Sequence, residues 1–379
     1  MKFTHSVLVL SASSALALNI PRDAVLDTSE KLYTIETAPG EQSQVTEAQK
    51  WELKKKGTNF FDVTDNLDVN TLLVEALAVT YPTSVKHQNS TAPLIARLSK
   101  DNLRSTLTTF TTFNNRFYKA QTGADSSAWL LGQINDIITA SNATGASAKP
   151  FAHTFLQPSI IATIPGLSNS TIVLGGHQDS VNWNAQDQIT ARAPGADDNG
   201  SGSVTILEAF RVLLSDPTIA SGQAPNTIEF HWYAAEEAGL LGSQAIFNEY
   251  QKQGRIVKAM LAQDMTGYIQ GTLNAGKPES FGIIVDYVDA ALTEFVKIIA
   301  NAYTSIPFVE SKCGYACSDH GSASKAGYPS AFVFESAFEN DNKAIHTAED
   351  TIEKLSFDHM IEHGKLTVGF AYELAFSEL

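Results

Sequence analysis

The stretch TIVLGGHQD at residues 171–179 decides the fold class of this 379-residue chain. Its first four residues form an apolar and β-branched run typical of a buried strand, and two glycines then lead to a histidine and an aspartate. The stretch TIEFHWYAAEE at residues 227–237 repeats the arrangement, with two glutamates after a mainly apolar run. Polar residues that directly follow buried strands are typical of the carboxyl edge of a parallel sheet, where ligands bind.

Outward from these two stretches, short apolar runs alternate with helical patterns. Further strands are predicted at 159–164, 259–264, 281–285 and 330–334. Helices are predicted at 92–106, 127–140, 202–214, 241–253, 289–302 and 352–376. The alternation predicts an α/β fold: a single globular domain whose mixed, mainly parallel central β-sheet is flanked by helices on both faces.

The N-terminal residues indicate a secreted precursor. A positive start, an apolar run at 7–18 and the Ala15-Leu16-Ala17 pattern predict a signal peptide at residues 1–17. Residues 18–80 hold few apolar strands, and their position behind the signal peptide favours a pro-region, although a permanently packed extension has the same texture. The catalytic domain is then expected at residues 81–379. The alternative for the first stretch is a buried helix, and no other run is long enough to predict a membrane span.

Composition narrows the classes of partner. With 43% hydrophobic and 18% charged residues, the chain can bury a core and does not resemble a disordered protein. Its formal net charge of −15 repels nucleic acid and anionic membranes, so neither is expected as a partner. The simplest interpretation of this charge is solubility after secretion.

Two cysteines and four glycosylation patterns fit a secreted protein. Cys313 and Cys317 lie four residues apart in CGYAC, a spacing that can close a small disulfide loop but does not suit a zinc knuckle. The N-x-[ST] pattern occurs at Asn89, Asn142, Asn169 and Asn199. Asn199 lies inside a glycine-rich motif, so we expect only the first three to be modified.

Acidic and histidine residues recur at the predicted strand ends. They are His177 with Asp179, Asp197 and Asp198 in GADDNGSG at 195–202, Glu236 with Glu237, Asp264, and His346. Each alone has an ordinary structural explanation, such as a turn histidine, a helix cap or a buried core histidine. Together they form a mixed nitrogen and oxygen ligand set, which suits zinc best, with manganese or cobalt as alternatives. A carboxylate shared between two ions would give a paired site of aminopeptidase type.

This ordered set resembles the zinc-binding residues of family M28 metallopeptidases. The run CGYACSDH at 313–320 narrows the resemblance to bacterial secreted leucyl aminopeptidases and their fungal relatives. The segment WELKKKG at 51–57, behind a signal peptide, is similar to the precursors of fungal secreted leucine aminopeptidases. The resemblance covers essentially the whole chain and implies a zinc-exopeptidase fold.

The resemblance also implies a role for each ligand. Asp197 would bridge two zinc ions, Glu237 and His346 would complete one ion, and His177 and Asp264 would complete the other. The family further implies a cis peptide between the two adjacent aspartates, 197 and 198, which makes Asp198 a supporting residue.

The same resemblance assigns the chemistry around the ions. Glu236 would be the general base, Asp179 would orient the histidine at position 177, and Tyr315 would stabilise the oxyanion. A disulfide between Cys313 and Cys317 would brace the loop that carries the tyrosine.

The expected activity is removal of N-terminal residues from peptides with a free N-terminus, by a monomer. By resemblance, an apolar pocket for the first side chain is lined by Met265, Phe332, Phe334, Phe338 and Ile345. Such a pocket discriminates by roughly 1–3 kcal/mol per methylene, so we expect preference for leucine and other large hydrophobic residues.

Three other functions remain open from the residues. A carboxypeptidase or aminoacylase would need a cationic pocket, and Arg192 is the arginine nearest to the motifs. A glutaminyl cyclase would keep one zinc ion. A binding ectodomain with an inactive peptidase fold would lack ligands, whereas none is missing here.

Overall fold

The computed structural model describes residues 31–65 and 79–379. The predicted signal peptide at 1–17 therefore lies outside the described residues, as do parts of the predicted pro-region. The strands are β1 (Tyr33–Ala38), β2 (Glu41–Val45), β3 (Phe61–Asp62), β4 (Ser147–Phe151), β5 (Ser159–Ile164), β6 (Thr171–His177), β7 (Thr227–Tyr233), β8 (Val257–Gln263), β9 (Phe281–Ile284), β10 (Phe308–Ser311) and β11 (Ser330–Phe334). The helices are α1 (Glu47–Lys55), α2 (Gln88–Ile95), α3 (Lys100–Phe110), α4 (Gln121–Ala140), α5 (Gly202–Leu213), α6 (Pro217–Ala220), α7 (Leu241–Lys252), α8 (Gln270–Asn274), α9 (Ala290–Tyr303), α10 (His320–Lys325) and α11 (Phe357–Ala375).

Eight strands form the central sheet, in the order β10-β9-β11-β8-β6-β7-β5-β4. The four central strands β11, β8, β6 and β7 are mutually parallel, and β10 is parallel to β9. The β11–β9, β5–β7 and β4–β5 pairs are antiparallel. The predicted mixed, mainly parallel sheet is confirmed, and the carboxyl ends of its central strands share one edge.

Alternate side chains of the central strands face two separate cores. Ile172 and Leu174 pack in one core with side chains of α5, α9 and α11. Val173, between them, packs in the other core with Phe247 of α7 and Ala323 of α10. Helices therefore cover both faces of the sheet, as the sequence predicts. Among the described residues, no helix is both long and apolar enough to cross a membrane.

Two predicted helices are interrupted. The single helix expected at 92–106 is divided into α2 and α3. A new helix begins after Ser99, because its side chain caps α3 by accepting a hydrogen bond from the Asn102 amide. The helix expected at 352–376 is a short 3₁₀ turn, Ile352–Lys354, followed by α11, which the Ser356 side chain caps. The edge strands β4 and β10 were not predicted, because short half-exposed strands carry little apolar pattern.

Residues 31–65 form a small unit against the main domain. Strands β2, β1 and β3 make a three-stranded antiparallel sheet beside α1. Trp51 of α1 is buried, with its ring centroid 6.1 Å from that of Phe117. The Asp62 amide donates to the Gly239 carbonyl oxygen at 3.0 Å, in the loop that follows β7. This unit therefore lies beside the edge of the sheet that carries the candidate ligands.

Candidate metal centre

The candidate ligands meet at the carboxyl edge of the central sheet. His177 is the last residue of β6, Glu237 lies shortly after β7, and Asp264 directly follows β8. The strand ends approach closely, because a Cβ atom on Gly176 would lie 2.4 Å from the Gln263 carbonyl oxygen. Glycine at this position therefore brings the histidine close to the aspartate after β8.

Two groups of three side chains lie at this edge and share one aspartate. The first group is His177, Asp198 and Asp264, and the second is Asp198, Glu237 and His346. In each group, one ligand atom per residue lies within 4.8 Å of the others. Asp198 joins the groups, because its Oδ1 lies 3.0 Å from His177 Nε2 and its Oδ2 lies 2.7 Å from His346 Nε2.

The shared aspartate differs from the expected one. We expected Asp197 in this position, but its carboxylate accepts from the Gly267 amide at 3.2 Å and from Asn342 Nδ2 at 3.0 Å. Asp350 holds the turn in this orientation, because its carboxylate accepts from the backbone amides of both aspartates. The expected cis peptide is likewise displaced by one residue, to Asp198–Asn199. Asp198, not its neighbour, therefore takes the shared position.

The environment of this edge fits a bound cation. Asp198, Glu237 and Asp264 are buried, and their described ion-pair partners are only the two histidines. Asp264 Oδ1 is buried without a hydrogen-bond partner in the described part of the chain. Several buried carboxylates facing one another repel unless positive charge lies between them. The mixed imidazole and carboxylate donors suit zinc.

The histidines respond to the same negative charge. Burial opposes the charged form of His346, but Glu237 and Asp198 raise its pKa to about 10. Burial also opposes the charged form of His177, and the carboxylates around it, Asp264 foremost, raise its pKa well above the usual value. A metal ion bound here would have to displace these protons, since only the neutral imidazole is a ligand.

Supporting hydrogen bonds fix the ligands from behind. Asp179 Oδ1 lies 3.4 Å from His177 Nδ1, and the same carboxylate accepts from the backbone amides of Glu236 and Glu237. Asp179 therefore joins the end of β6 to the loop after β7, the place expected for an orienting residue. Ser318 Oγ donates to the Oδ2 atom of the aspartate after β8 at 2.7 Å. No sequence pattern singles out this serine, although it lies inside the CGYACSDH run.

Glu236 belongs to neither group of three but lines the same cavity as Asp198. Burial raises the pKa of Glu236 well above the usual value, although the positive charge of Lys54 and of His177, the last residue of β6, opposes the rise. A buried carboxylate with a raised pKa, beside the candidate ligands, is suited to accept and return a proton.

The cavity that members of both groups line also has an apolar wall. All five predicted pocket residues line it: Met265, Phe332, Phe334, Phe338 and Ile345. Its volume is about 90 Å³, which is small beside the roughly 300–1,000 Å³ of ordinary ligand sites. Lys54 and Asn59, both from the N-terminal unit, also line it.

No arginine lines this cavity among the described residues. Arg192, the candidate for a carboxylate-binding cation, instead donates to the backbone carbonyl groups of Thr111, Phe113 and Asn114. Arg192 therefore does not supply the cationic pocket that a carboxypeptidase would need.

Tyr315 lies outside the cavity lining. Its hydroxyl donates a hydrogen bond to the Glu36 carboxylate of β1, which also pairs with Lys325. Burial and the Glu36 carboxylate raise the pKa of this tyrosine. The disulfide between Cys313 and Cys317 forms as expected, so these sulfur atoms are not free to join nearby His320 around a metal.

Three predicted glycosylation sites are exposed, and the fourth pattern is buried. Asn89, Asn142 and Asn169 lie at the surface. Asn199 is fully buried, and its side-chain amide donates to the Gln263 carbonyl oxygen at 3.0 Å. Its burial leaves no room for a glycan, which agrees with its exclusion from the predicted sites.

Two further residues support the site without a clear sequence signal. Arg116 is fully buried, and its guanidinium donates to the carbonyl groups of Gln178, Pro194 and Gly195. Trp183 stacks on the imidazole of His346. Both come from loops whose shape depends on distant parts of the chain, so no local pattern reveals them.

A parallel-sheet edge with two imidazole and carboxylate groups that share an aspartate defines a centre of the metallohydrolase type. The chain belongs to peptidase family M28: the model of that family matches residues 159–371. The expected family and fold are thereby confirmed.

Relatives in sequence and structure agree with this membership. Leucine aminopeptidase 1 of Pyrenophora tritici-repentis is 58% identical over 91% of this chain and 89% of its own. Leucine aminopeptidase 1 of Sclerotinia sclerotiorum is 54% identical over the full length of both chains. The crystal structure of the Legionella pneumophila LapA aminopeptidase has a TM-score of 0.79 and 30% identity, covering 93% of this chain and 100% of that chain.

Proposed function

We propose that this chain is a secreted aminopeptidase that removes leucine and other large hydrophobic residues from peptide N-termini with two zinc ions. The enzyme class is a metallo-aminopeptidase, given the M28 family and the named relatives. The observation that carries the finer proposal is the pair of ligand groups that share Asp198.

Each ion has a defined set of side chains in this proposal. His177 and Asp264 would hold one ion, Glu237 and His346 would hold the other, and Asp198 would contact both. Bound zinc supplies a Lewis acid that polarises the scissile carbonyl and lowers the pKa of water. Asp179 keeps the first histidine in place, because it also anchors the loop that carries Glu237.

Glu236 is proposed as the general base. Its carboxylate takes a proton from the attacking water and later gives it to the leaving amine. Its position in the shared cavity, outside both ligand groups, supports this role. Burial supports it too, because a raised pKa brings the carboxyl closer to the pH at which it must exchange protons.

The cavity supports a preference for large apolar side chains. Phe332, Phe334 and Phe338 give it an aromatic wall, completed by Met265 and Ile345. Discrimination of roughly 1–3 kcal/mol per methylene would favour leucine over alanine without excluding other large residues.

Residues 18–80 are proposed as a pro-region that keeps the secreted enzyme latent. In its described part, the buried side chain of Lys54 lines the cavity beside the candidate ligands. Lys54 Nζ lies 5.7 Å from the centroid of the Trp183 ring. Glu36 binds the hydroxyl of Tyr315, the residue proposed to stabilise the oxyanion. Removal of this unit would widen the cavity and release the tyrosine.

The base assignment is tested with Glu236→Gln, assayed on Leu-p-nitroanilide after removal of the pro-region. We expect a loss of kcat of at least about 100-fold with zinc content unchanged, because the amide cannot accept the proton. The matched variant Glu237→Gln should lose zinc as well. Near-normal turnover in Glu236→Gln would show that another group is the base.

The competing carboxypeptidase activity is decided by blocked peptides. An aminopeptidase cleaves a C-terminally amidated peptide and leaves an N-acetylated one intact. Cleavage of the N-acetylated peptide with a free C-terminus would contradict the proposal.

A further inference from the structure

Trp183 holds His346 in two ways. The rings lie almost parallel, with centroids 3.3 Å apart and an interplanar angle of 15°. The backbone amide of Trp183 also donates to the His346 carbonyl oxygen at 3.2 Å. One residue therefore restrains both the backbone and the imidazole of a candidate ligand.

His346 needs such a restraint more than the other candidate histidine does. Its backbone φ angle of 57° lies in the left-handed region, which residues other than glycine rarely adopt. Among the described residues, neither a hydrogen bond nor an ion pair is found at its Nδ1 atom. Nδ1 of His177 also makes no hydrogen bond in the described part of the chain, but the Asp179 carboxylate lies 3.4 Å from it. A ligand histidine is ordinarily oriented by a hydrogen bond at its second nitrogen. For His346, the stacked indole is placed to do this instead.

The loop that carries Trp183 is itself firmly supported. Asn115 Nδ2 donates to the carbonyl groups of Gln188, Ile189 and Ala191, at 2.8–3.3 Å. The Asn182 side chain, next to the tryptophan, donates to the Arg192 carbonyl oxygen at 3.2 Å. These bonds fix the loop at several points, so the indole has a stable base from which to restrain its neighbour.

The indole carries a further mark of a positioning role. Its Nε1 atom is buried and has no hydrogen-bond partner within the described part of the chain. The ring therefore acts through its faces: it stacks on His346, and Lys54 Nζ lies 5.7 Å from the ring centroid. The imidazole held by the stack directs Nε2 toward Asp198 at 2.7 Å and Glu237 at 3.2 Å.

We propose that Trp183 is the positioning residue of the His346 metal ligand, setting the affinity of one ion and leaving the other almost unchanged. The inference rests on the proposed two-ion site. A restraint that acts through a ligand typically changes metal affinity by 10–100-fold, and this is the size of effect we expect.

The test is a titration of the metal-free full chain with Co²⁺, followed by visible absorption, and with Zn²⁺ in competition with a chelator. Trp183→Ala should weaken one of two binding steps by about 10–100-fold, while the other stays within about threefold of the unsubstituted chain. Trp183→Phe keeps an aromatic face and should stay within about threefold at both steps. Ile189→Ala, an exposed residue of the same loop, is the matched control and should change neither step.

Two results would overturn the inference alone: both steps unchanged in Trp183→Ala, or both weakened equally, as expected from general loss of structure. Should Trp183→Ala fail to fold, Trp183→Leu fills more of the space without an aromatic face, and the same outcomes apply to it. An unsubstituted chain that binds no metal would overturn both the proposed function and this inference.

Discussion

Asp197 and Asp198 are adjacent and buried, yet their carboxylates have different partners. Asp198 lies between the two histidines, whereas Asp197 is turned away toward the Gly267 amide and Asn342. Burial raises the pKa of Asp197 to about 6, while the two histidines lower that of Asp198 despite its burial. At the scale of single residues, position within one turn decides whether a carboxylate can serve two ions.

This difference predicts unequal effects of the same substitution. Asp198→Asn should weaken binding of both zinc ions by more than the roughly 10–100-fold typical of a residue that only supports a ligand, because it removes charge from the shared position. Asp197→Asn should leave both ions bound within about tenfold, since an amide can still accept from the Gly267 amide. Zinc content after dialysis against a graded chelator series measures the effect. Equal losses in the two variants would count against a shared position for Asp198.

Candidate ligands could be predicted from the sequence where they lie at the ends of clearly patterned strands. His177, Glu237 and Asp264 follow strongly apolar strands, so their meeting at one edge follows from parallel pairing. Which of the two adjacent aspartates takes the shared position could not be predicted, because it depends on Asp350, which lies more than 150 residues away in the chain. Trp183 was missed for the same reason, since its partner comes from a distant loop.

At the scale of elements, the loop between β6 and α5 carries the shared aspartate. Arg116, which lies before α4, is the buried brace of this loop, with hydrogen bonds to the carbonyl groups of Gln178, Pro194 and Gly195. Burial lowers the pKa of its guanidinium to about 10, which leaves the group charged at neutral pH. One side chain therefore holds the beginning and the end of the loop together.

Loss of this brace should destabilise the fold. Arg116→Met would leave the carbonyl groups of Gln178 and Pro194 without a donor, at a cost of about 1–3 kcal/mol for each buried group, while the Gly195 carbonyl keeps the Gly200 amide. We expect the free energy of unfolding to fall by roughly 3 kcal/mol or more, measured by urea denaturation. Arg192→Met also removes bonds to backbone carbonyl groups, but at the surface, and should change stability by less than about 1 kcal/mol. Similar values for the two variants would contradict the bracing role.

Most elements of the domain could be predicted because helical and strand periodicities alternate clearly along the chain. The breaks were not predictable, because each depends on tertiary contacts. The break at Ser99 is an example: its amide donates to Glu208 of α5, more than 100 residues away. A continuous amphipathic pattern across 92–106 hides this interruption.

For the molecule as a whole, the N-terminal unit and the main domain both line the candidate site, the former through Lys54 and Asn59. Glu36 is 2% exposed and meets Tyr315 and Lys325 of the main domain. Removal of one partner from a buried ion pair is strongly destabilising, because the remaining charge is left uncompensated. The contact at Glu36 is therefore a sensitive point of the interface.

The latency proposal predicts that a weakened interface raises the activity of the uncleaved chain. Glu36→Gln leaves Lys325 without its anion and should increase the rate on Leu-p-nitroanilide several-fold, toward that of the cleaved enzyme. Glu41→Gln alters an exposed carboxylate of the same small sheet and should have no effect. An unsubstituted, uncleaved chain as active as the enzyme lacking residues 1–80 would refute latency.

Zinc reconstitution of the metal-free enzyme, after removal of the pro-region, tests the two-zinc mechanism directly. Bound zinc and Leu-p-nitroanilide hydrolysis are measured together at each addition. A site with two ligand groups joined by Asp198 predicts saturation at two ions per chain and full activity only when both are bound. Saturation at one ion, or full hydrolysis by the metal-free enzyme, would contradict the two-zinc mechanism.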